Sequence, residues 1–218
     1  MGIETPRVAR NSNGRDTSRV FSTLGALSLG IACGAPPPAE TKPQPPVAEG
    51  VLRYLPLVDG TVFAYDTRIE PDGVRGLLVL EVRRRRPELA ELVVAGRSQR
   101  LNVSSAAVEL VTGGALLRAP LAAGASWRGD FGRVRVTHVS RSVTVPAGSF
   151  RDCLETVEEM TTAEGTKRTT TAFCPGVGIT VRETEVEQDA QHATERIELK
   201  SFGKRFAAET PITSPSAP

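Results

Sequence analysis

Residues 153–174 of the 218-residue chain read CLETVEEMTTAEGTKRTTTAFC. When this segment is folded back on itself about Ala163 and Glu164, residues of compatible chemistry meet across the turn: Cys153 with Cys174, Leu154 with Phe173, Thr156 with Thr171, and Glu159 with Arg168. The aliphatic–aromatic, Thr–Thr and opposite-charge pairs each stabilise antiparallel strands by roughly 0.2–1 kcal/mol. Because one register satisfies all four pairs, the segment is predicted to be a β-hairpin whose open end is closed by a disulfide.

The chain before this hairpin has short alternating runs separated by turn residues, which is typical of strands. Runs 61–69 and 74–83 flank the turn sequence EPDG at 70–73, in which Pro presets φ and Gly accepts positive φ. A four-residue loop there sets three apolar pairs on one face: Ile69 with Val74, Tyr65 with Leu78, and Phe63 with Leu80. Further strand-like runs follow: 89–94, 99–103, 106–112, 115–119 and 133–139.

A last hairpin is predicted from residues 179–187 and 192–201, with Glu183 opposite Arg196 and Glu187 opposite His192. The chain contains no convincing amphipathic helix between these strands. The fold class is therefore predicted to be all-β, a mainly antiparallel curved sheet or barrel-like domain. This globular domain is expected to cover residues 51–203, and residues 204–218 are expected to form a disordered tail.

Residues 1–32 have the features of an export signal. A basic region from Arg7 to Arg19 precedes an apolar run at 21–32, which is shorter than the ~20 residues that span a bilayer. The alternative is a short buried helix, but two glycines interrupt the run and a Pro-rich stretch follows it. The chain is therefore predicted to be exported.

The apolar run ends in Leu29-Gly30-Ile31-Ala32-Cys33, which resembles the lipobox of bacterial lipoproteins. Gly30 departs from the usual Leu, which stands one place earlier. The resemblance implies that the Cys33 thiol accepts a diacylglyceryl group and that two or three acyl chains anchor the protein stably in a membrane. Since Gly34 rather than Asp follows the cysteine, it also implies the outer membrane, with the domain facing the periplasm or the cell surface. Simple secretion is the alternative.

The three cysteines fit this interpretation. Lipidation uses Cys33 and leaves Cys153 and Cys174 as a pair, which an oxidising envelope compartment allows to form. The competing interpretation, a two-cysteine metal site, lacks a second pair of ligands at suitable spacing. Residues 33–50 are expected to be the lipidated Cys followed by a tether, since six prolines favour an extended chain.

The net charge of the chain after residue 32 argues against nucleic acid as a partner. Residues 1–32 hold four basic and two acidic side chains, so the rest of the chain has 23 of each and no net charge. A chain without basic excess has no general electrostatic footprint for nucleic acid, and no nucleic-acid partner is expected.

The sequence contains few residues in catalytic or metal-binding patterns. Its two histidines, His138 and His192, belong to no metal-binding motif, and no G-x-S-x-G, Walker or dinucleotide-binding pattern occurs. The protein is predicted not to be an enzyme and to need no cofactor or metal. A hydrolase is the alternative, and it would require a polar cluster around His138.

Three patches resemble an uncharacterised group of bacterial exported and lipid-anchored proteins. Residues 54–65 (YLPLVDGTVFAY) resemble the pattern Y-x-P-L-x-x-G-x-x-W-x-Y, with Phe63 at the place of the Trp. Residues 145–153 (VPAGSFRDC) and 174–178 (CPGVG) resemble the turns V-P-A-G-T-F-x-D-C and A-P-G-V-G. The resemblance implies a β-rich domain like the half-barrels of lipoprotein-carrier proteins, and it implies no reaction.

The predicted function is that of a lipid-anchored cell-envelope protein with a non-enzymatic binding or structural role. In one form, strand edges or loops hold an envelope protein partner. In the other, the curved sheet encloses a cavity that carries a lipid-like ligand. Four aromatic residues are candidates for lining this cavity, although core filling is their expected role: Phe63, Tyr65, Trp127 and Phe150.

Overall fold

The structure is a computed structural model that describes residues 50–189 and 191–205. These residues belong to one compact unit. The export signal at 1–32, the lipidation site Cys33 and most of the tether and tail lie outside the described residues, so these assignments stay predictions. Among the described residues, no helix is long and apolar enough to cross a membrane.

The described residues form one antiparallel sheet of twelve strands, preceded by a short 3₁₀ helix, Gly50–Arg53. The strands are β1 (Thr61–Glu70), β2 (Val74–Arg86), β3 (Leu89–Val94), β4 (Arg97–Val103), β5 (Ala107–Leu110), β6 (Ala115–Arg118), β7 (Ser126–Arg128), β8 (Arg133–Val145), β9 (Gly148–Thr162), β10 (Gly165–Cys174), β11 (Gly178–Gln188) and β12 (Gln191–Lys204). Their order is β6-β5-β4-β3-β2-β1-β12-β11-β10-β9-β8-β7. Two meanders of six strands are thus joined by pairing of the first strand with the last.

The two edge strands, β6 and β7, lie beside each other, so the sheet is nearly closed and barrel-like. The indole Nε1 of Trp127 on β7 donates a hydrogen bond to the carbonyl of Ala115 on β6, at 2.9 Å. Gly114, with φ of +84°, lies so close to the carbonyl of Gly129 that a Cβ has no room there. The predicted all-β, curved and barrel-like fold class is confirmed.

The hairpin of β9 and β10 has the predicted register: Leu154 lies opposite Phe173, Thr156 opposite Thr171, and Glu159 opposite Arg168. Gly165 pairs with Thr162, so the turn is centred on Ala163 and Glu164 as expected. Cys153 and Cys174 are joined by a disulfide at the open end. The hairpin is therefore covalently closed where it enters the core.

The other two predicted hairpin registers are also confirmed. Tyr65 pairs with Leu78 and Phe63 with Leu80 between β1 and β2, and Glu183 pairs with Arg196 between β11 and β12. Several strand bounds differ from the prediction. Strand β8 continues six residues past the predicted end at 139, and the three-residue strand β7 was not predicted at all.

Inward-facing side chains at one end of the sheet are fully buried. Four leucines at this end are 0% exposed: Leu101, Leu117, Leu154 and Leu199. The 3₁₀ helix and the segment after it cover this end with Val51, Leu55 and Leu57, all buried. Each fully buried aliphatic side chain contributes about 1.5–3 kcal/mol to the free energy of unfolding. This packed end is therefore the main source of stability in the sheet.

Candidate ligand-binding cavity

Beyond the packed end, the interior of the sheet contains a cavity of about 270 Å³. Its apolar lining comes mainly from five strands: Tyr65 on β1, Leu78 and Leu80 on β2, Val94 on β3, Ile179 on β11 and Ile197 on β12. Its volume lies just below the roughly 300–1,000 Å³ typical of small-molecule sites. The cavity can hold one slender apolar group.

Strand register brings these residues together. Tyr65 lies opposite Leu78, and Leu80 lies opposite Val94. Directly opposed residues of an antiparallel pair, and residues two apart along a strand, share one face. The apolar pattern of β1–β3 therefore forms one continuous wall of the interior.

Most of this wall is not covered by protein. Leu78, Leu80, Val94, Ile179 and Ile197 are only half-buried, although they face the interior. Half-exposed aliphatic side chains around a concave space leave apolar surface in contact with water, which is unfavourable by roughly 25 cal/mol per Å². An apolar ligand that entered the cavity would remove this cost.

Tyr65 lies between the packed end and the cavity. Its ring is 3% exposed and stacks on Phe63, with ring centroids 6.3 Å apart. The phenol donates a hydrogen bond to the carbonyl of Ile179 at 3.1 Å, and burial raises the pKa of the Tyr65 phenol. The side chain is therefore a neutral, fixed floor for the cavity.

A β-bulge at Thr180 turns Arg182 towards the cavity. Phe173 on β10 pairs with Ile179, but Ala172 pairs with Val181, so Thr180 is an extra residue in β11. The bulge reverses the alternation of faces. Arg182 consequently shares the inner face with Ile197, its partner on β12, and both line the cavity.

A second guanidinium reaches the cavity from the β3–β4 hairpin. Arg97 pairs with Val94 and lines the cavity together with Ser98 and Gln99. The site thus combines an aliphatic wall with two arginines and two neutral polar side chains. This combination is typical of sites that bind amphiphilic molecules, in which a few polar groups fix the orientation of an apolar ligand.

Of the four aromatic residues suggested for such a cavity, only Tyr65 lines it. Phe63 is a core residue at 7% exposure, Trp127 lies at the junction of β6 and β7, and Phe150 packs near Phe202 with ring centroids 6.4 Å apart. Core filling, the role expected for these aromatics, is confirmed for Phe63, and Trp127 and Phe150 are partly buried against the core. An alternating pattern gives the face of a residue but not its level along the strand, so it did not separate cavity from core. The lining is aliphatic instead.

The polar cluster that a hydrolase would need does exist around His138. The imidazole Nδ1 lies 2.8 Å from Oε1 of the buried Glu155, the hydroxyl of Thr137 donates to the same oxygen at 2.9 Å, and Arg141 contacts the second carboxylate oxygen. Among the described residues no hydroxyl or thiol bonds to the other ring nitrogen of His138. The expectation that the protein is not an enzyme stays a prediction.

Glu155 also borders a cleft of about 300 Å³ on the outer face of the sheet, with Glu183 and Arg196 across it. Arg196 bonds to both Glu183 and Glu198. Because these charges already have partners, the cleft offers fewer free groups to a ligand than the interior cavity does. In the part of the chain that the structure describes, no three potential metal ligands come together.

The sequence matches no protein-family model and no curated protein. A crystal structure of a protein assigned as exported, with a YmcC-like fold, from Bacteroides fragilis is 14% identical with a TM-score of 0.46, over 67% of this chain and 97% of that chain. A crystal structure of a protein assigned as a lipoprotein, from Parabacteroides distasonis, is 14% identical with a TM-score of 0.42, over 67% of this chain and 96% of that one. At TM-scores this low, no argument rests on either likeness.

Proposed function

We propose that this protein binds a lipid-like apolar ligand in the interior cavity of its sheet and does so as a lipid-anchored protein of the bacterial cell envelope. The observation that carries the proposal is the unfilled part of the interior, the cavity of about 270 Å³. Its half-buried aliphatic wall adjoins a packed end on the same strands. A domain that only had to be stable would gain by filling this space.

The location in the envelope is supported by the sequence. The apolar run at 21–32, the lipobox-like residues ending at Cys33 and the Pro-rich tether together fit an exported chain held to a membrane by acyl chains. The disulfide between Cys153 and Cys174 fits an oxidising compartment. Gly34 after the lipidated cysteine favours the outer membrane, with the domain facing the periplasm or the surface.

Docking of a protein partner along a strand edge has less support. The edge strands β6 and β7 are only four and three residues long, and they lie beside each other. A partner strand needs a longer row of unpaired backbone groups to add to a sheet. The cavity therefore accounts for more of the described surface than the edges do.

The test compares tryptophans placed on the two faces of β2. The full chain carrying Cys33→Ser, refolded under oxidising conditions, has no attached lipid and is titrated with the neutral fluorescent probe N-phenyl-1-naphthylamine. Leu78→Trp fills the cavity and is expected to weaken probe binding about tenfold or more. Leu77→Trp, on the outer face at 60% exposure, is the matched control and should bind like the parent chain.

Thermal unfolding of both variants shows whether each remains folded. Probe binding that is absent from the parent chain, or equal in the two variants, would contradict the cavity as the binding site. Loss of binding in Leu78→Trp at an unchanged melting temperature would support it.

A further inference from the structure

We infer that the ligand is a single-chain amphiphile with an anionic head group, a carboxylate or a phosphate, which Arg182 and Arg97 bind at the cavity. This inference rests on the proposed function, because it assigns the polar end of the same ligand.

Arg182 is an inward-facing charge on a mostly apolar surface. It is half-buried and borders the cavity together with Ile179 and Ile197. A guanidinium cannot lose its proton at physiological pH. Charged side chains on an interior face are unfavourable unless a group of opposite charge or hydrogen-bond acceptors lie against them. A group of opposite charge beside Arg182 would therefore be favourable.

No such partner comes from the described residues. Ion pairs join many arginines of the sheet to carboxylates, but neither Arg97 nor Arg182 is among them within residues 50–189 and 191–205. Glu195, which the register places on the inner face two residues before Ile197, is exposed and forms no ion pair with either arginine. Glu158 on β9 accepts hydrogen bonds from the backbone of Phe131 and Gly132 instead.

The neighbouring outward-facing arginine behaves differently. Arg196 lies next to Ile197 on β12, but it faces the outer side and bonds to Glu183 at 2.5 Å and to Glu198 at 2.7 Å. Arg196 is thus paired on the outer face, whereas Arg182, the partner of its neighbour Ile197, forms no ion pair among the described residues. A free guanidinium beside an empty apolar space is the arrangement expected where an external anion completes the pairing.

The chemistry of the ligand follows from these groups. The planar guanidinium matches the two oxygens of a carboxylate or phosphate and can bind them bidentately. Ser98 and Gln99, which line the cavity next to Arg97, add neutral donors for the same oxygens. A space of about 270 Å³ has room for one chain beside these groups, so a lipid with several chains would leave the others outside.

The experiment compares ligands that share a chain and differ in the head group. The full chain with Cys33→Ser and an intact disulfide is titrated with dodecanoate, dodecyl phosphate and dodecanol in competition with N-phenyl-1-naphthylamine. We expect at least one of the two anions to bind about tenfold tighter than dodecanol. The stronger of the two anions identifies the head group as carboxylate or phosphate.

Variants then assign the preference to residues. Arg182→Gln is expected to reduce the preference for the anion to less than about twofold while dodecanol binds as before, and Arg97→Gln should act in the same direction. Arg196→Gln, the outward-facing neighbour, is the matched control and should keep the full preference. If Arg182→Gln does not fold, the comparison of the anions with dodecanol on the parent chain still tests whether the site prefers an anionic head group.

The outcomes separate the two proposals. Equal binding of dodecanol and both anions would overturn the anionic head group and leave the apolar site standing. Failure of all three to displace the probe would overturn both. An anion preference that survives in both Arg182→Gln and Arg97→Gln would overturn the assignment to these residues.

Discussion

Two inward-facing residues on β12 show how differently the two halves of the interior are built. Leu199 is 0% exposed in the packed end, whereas Ile197, two residues earlier on the same face, is half-buried beside the cavity. On β2, Val82 at 1% exposure and the half-buried Leu80 show the same contrast. The strands are shared and the side chains are all aliphatic. What differs is whether another part of the chain covers them.

The cover at the packed end is the segment that begins with the 3₁₀ helix. The amide of Val51 donates to the carbonyl of Ser105 at 3.1 Å, and the amide of Gly176 donates to the carbonyl of Arg53 at 2.8 Å. These bonds hold Val51 and Leu55 over the ends of the strands. Among the described residues no equivalent segment covers the cavity, so an amphipathic strand pattern alone does not ensure a filled interior.

The largest expected effect comes from truncating one leucine in each half. Leu199→Ala should destabilise the fold by roughly 3–4 kcal/mol, because it leaves a void in a fully packed region. Leu80→Ala should cost only about 1 kcal/mol, since its side chain already borders open space and little new void is created. Urea unfolding of the full chain with Cys33→Ser, followed by circular dichroism, measures both changes. Equal losses would mean that the two halves are packed alike.

A slightly smaller effect is expected from the disulfide, which lies in the packed half. Replacing both Cys153 and Cys174 by Ala removes a cross-link that closes a loop of about 20 residues and should cost roughly 3 kcal/mol. Probe affinity should remain within about twofold, because both cysteines are 0% exposed and neither lines the cavity. A fall in affinity without a loss of stability would show that the hairpin positions the binding wall directly.

The sequence predicted the hairpins better than the cavity, for a physical reason. Opposed pairs such as Leu154 with Phe173 carry chemical matches that fix a register. Strand β7 has three residues, with Trp127 between Ser126 and Arg128, which is too short for any period to be visible. Its place in the sheet depends on pairing with β8, which is a tertiary contact.

The sequence did not predict that Arg182 faces the cavity, because a β-bulge precedes this residue in β11. Strict alternation from Ile179 would place Val181 inside and Arg182 outside, but the extra residue Thr180 inverts that order. The Thr180 hydroxyl, fully buried, donates to the carbonyl of Ala172 at 3.2 Å, an interaction that the sequence alone does not reveal. Local pattern therefore predicted which strands exist, and tertiary packing decided which of their residues line the cavity.

The smallest expected effect tests the boundary between the two halves through Tyr65. Since burial raises the pKa of this phenol in the folded state, ionisation near pH ~10 favours the unfolded chain. The contribution of the buried phenol is therefore fully present below that pH and is lost as the pH rises above it. Tyr65→Phe should be less stable than the parent chain at pH 8 by about 1 kcal/mol, the usual value of one hydrogen bond.

The measurement is the difference in unfolding free energy between the parent chain and Tyr65→Phe, taken by urea unfolding from pH 8 to pH 11. It should shrink at alkaline pH, because only the parent chain loses the contribution of a buried neutral phenol. A difference that stays constant would mean that Tyr65 ionises equally easily in both states. Water would then reach the phenol from the cavity, and the boundary between the packed half and the open half would lie deeper than Tyr65.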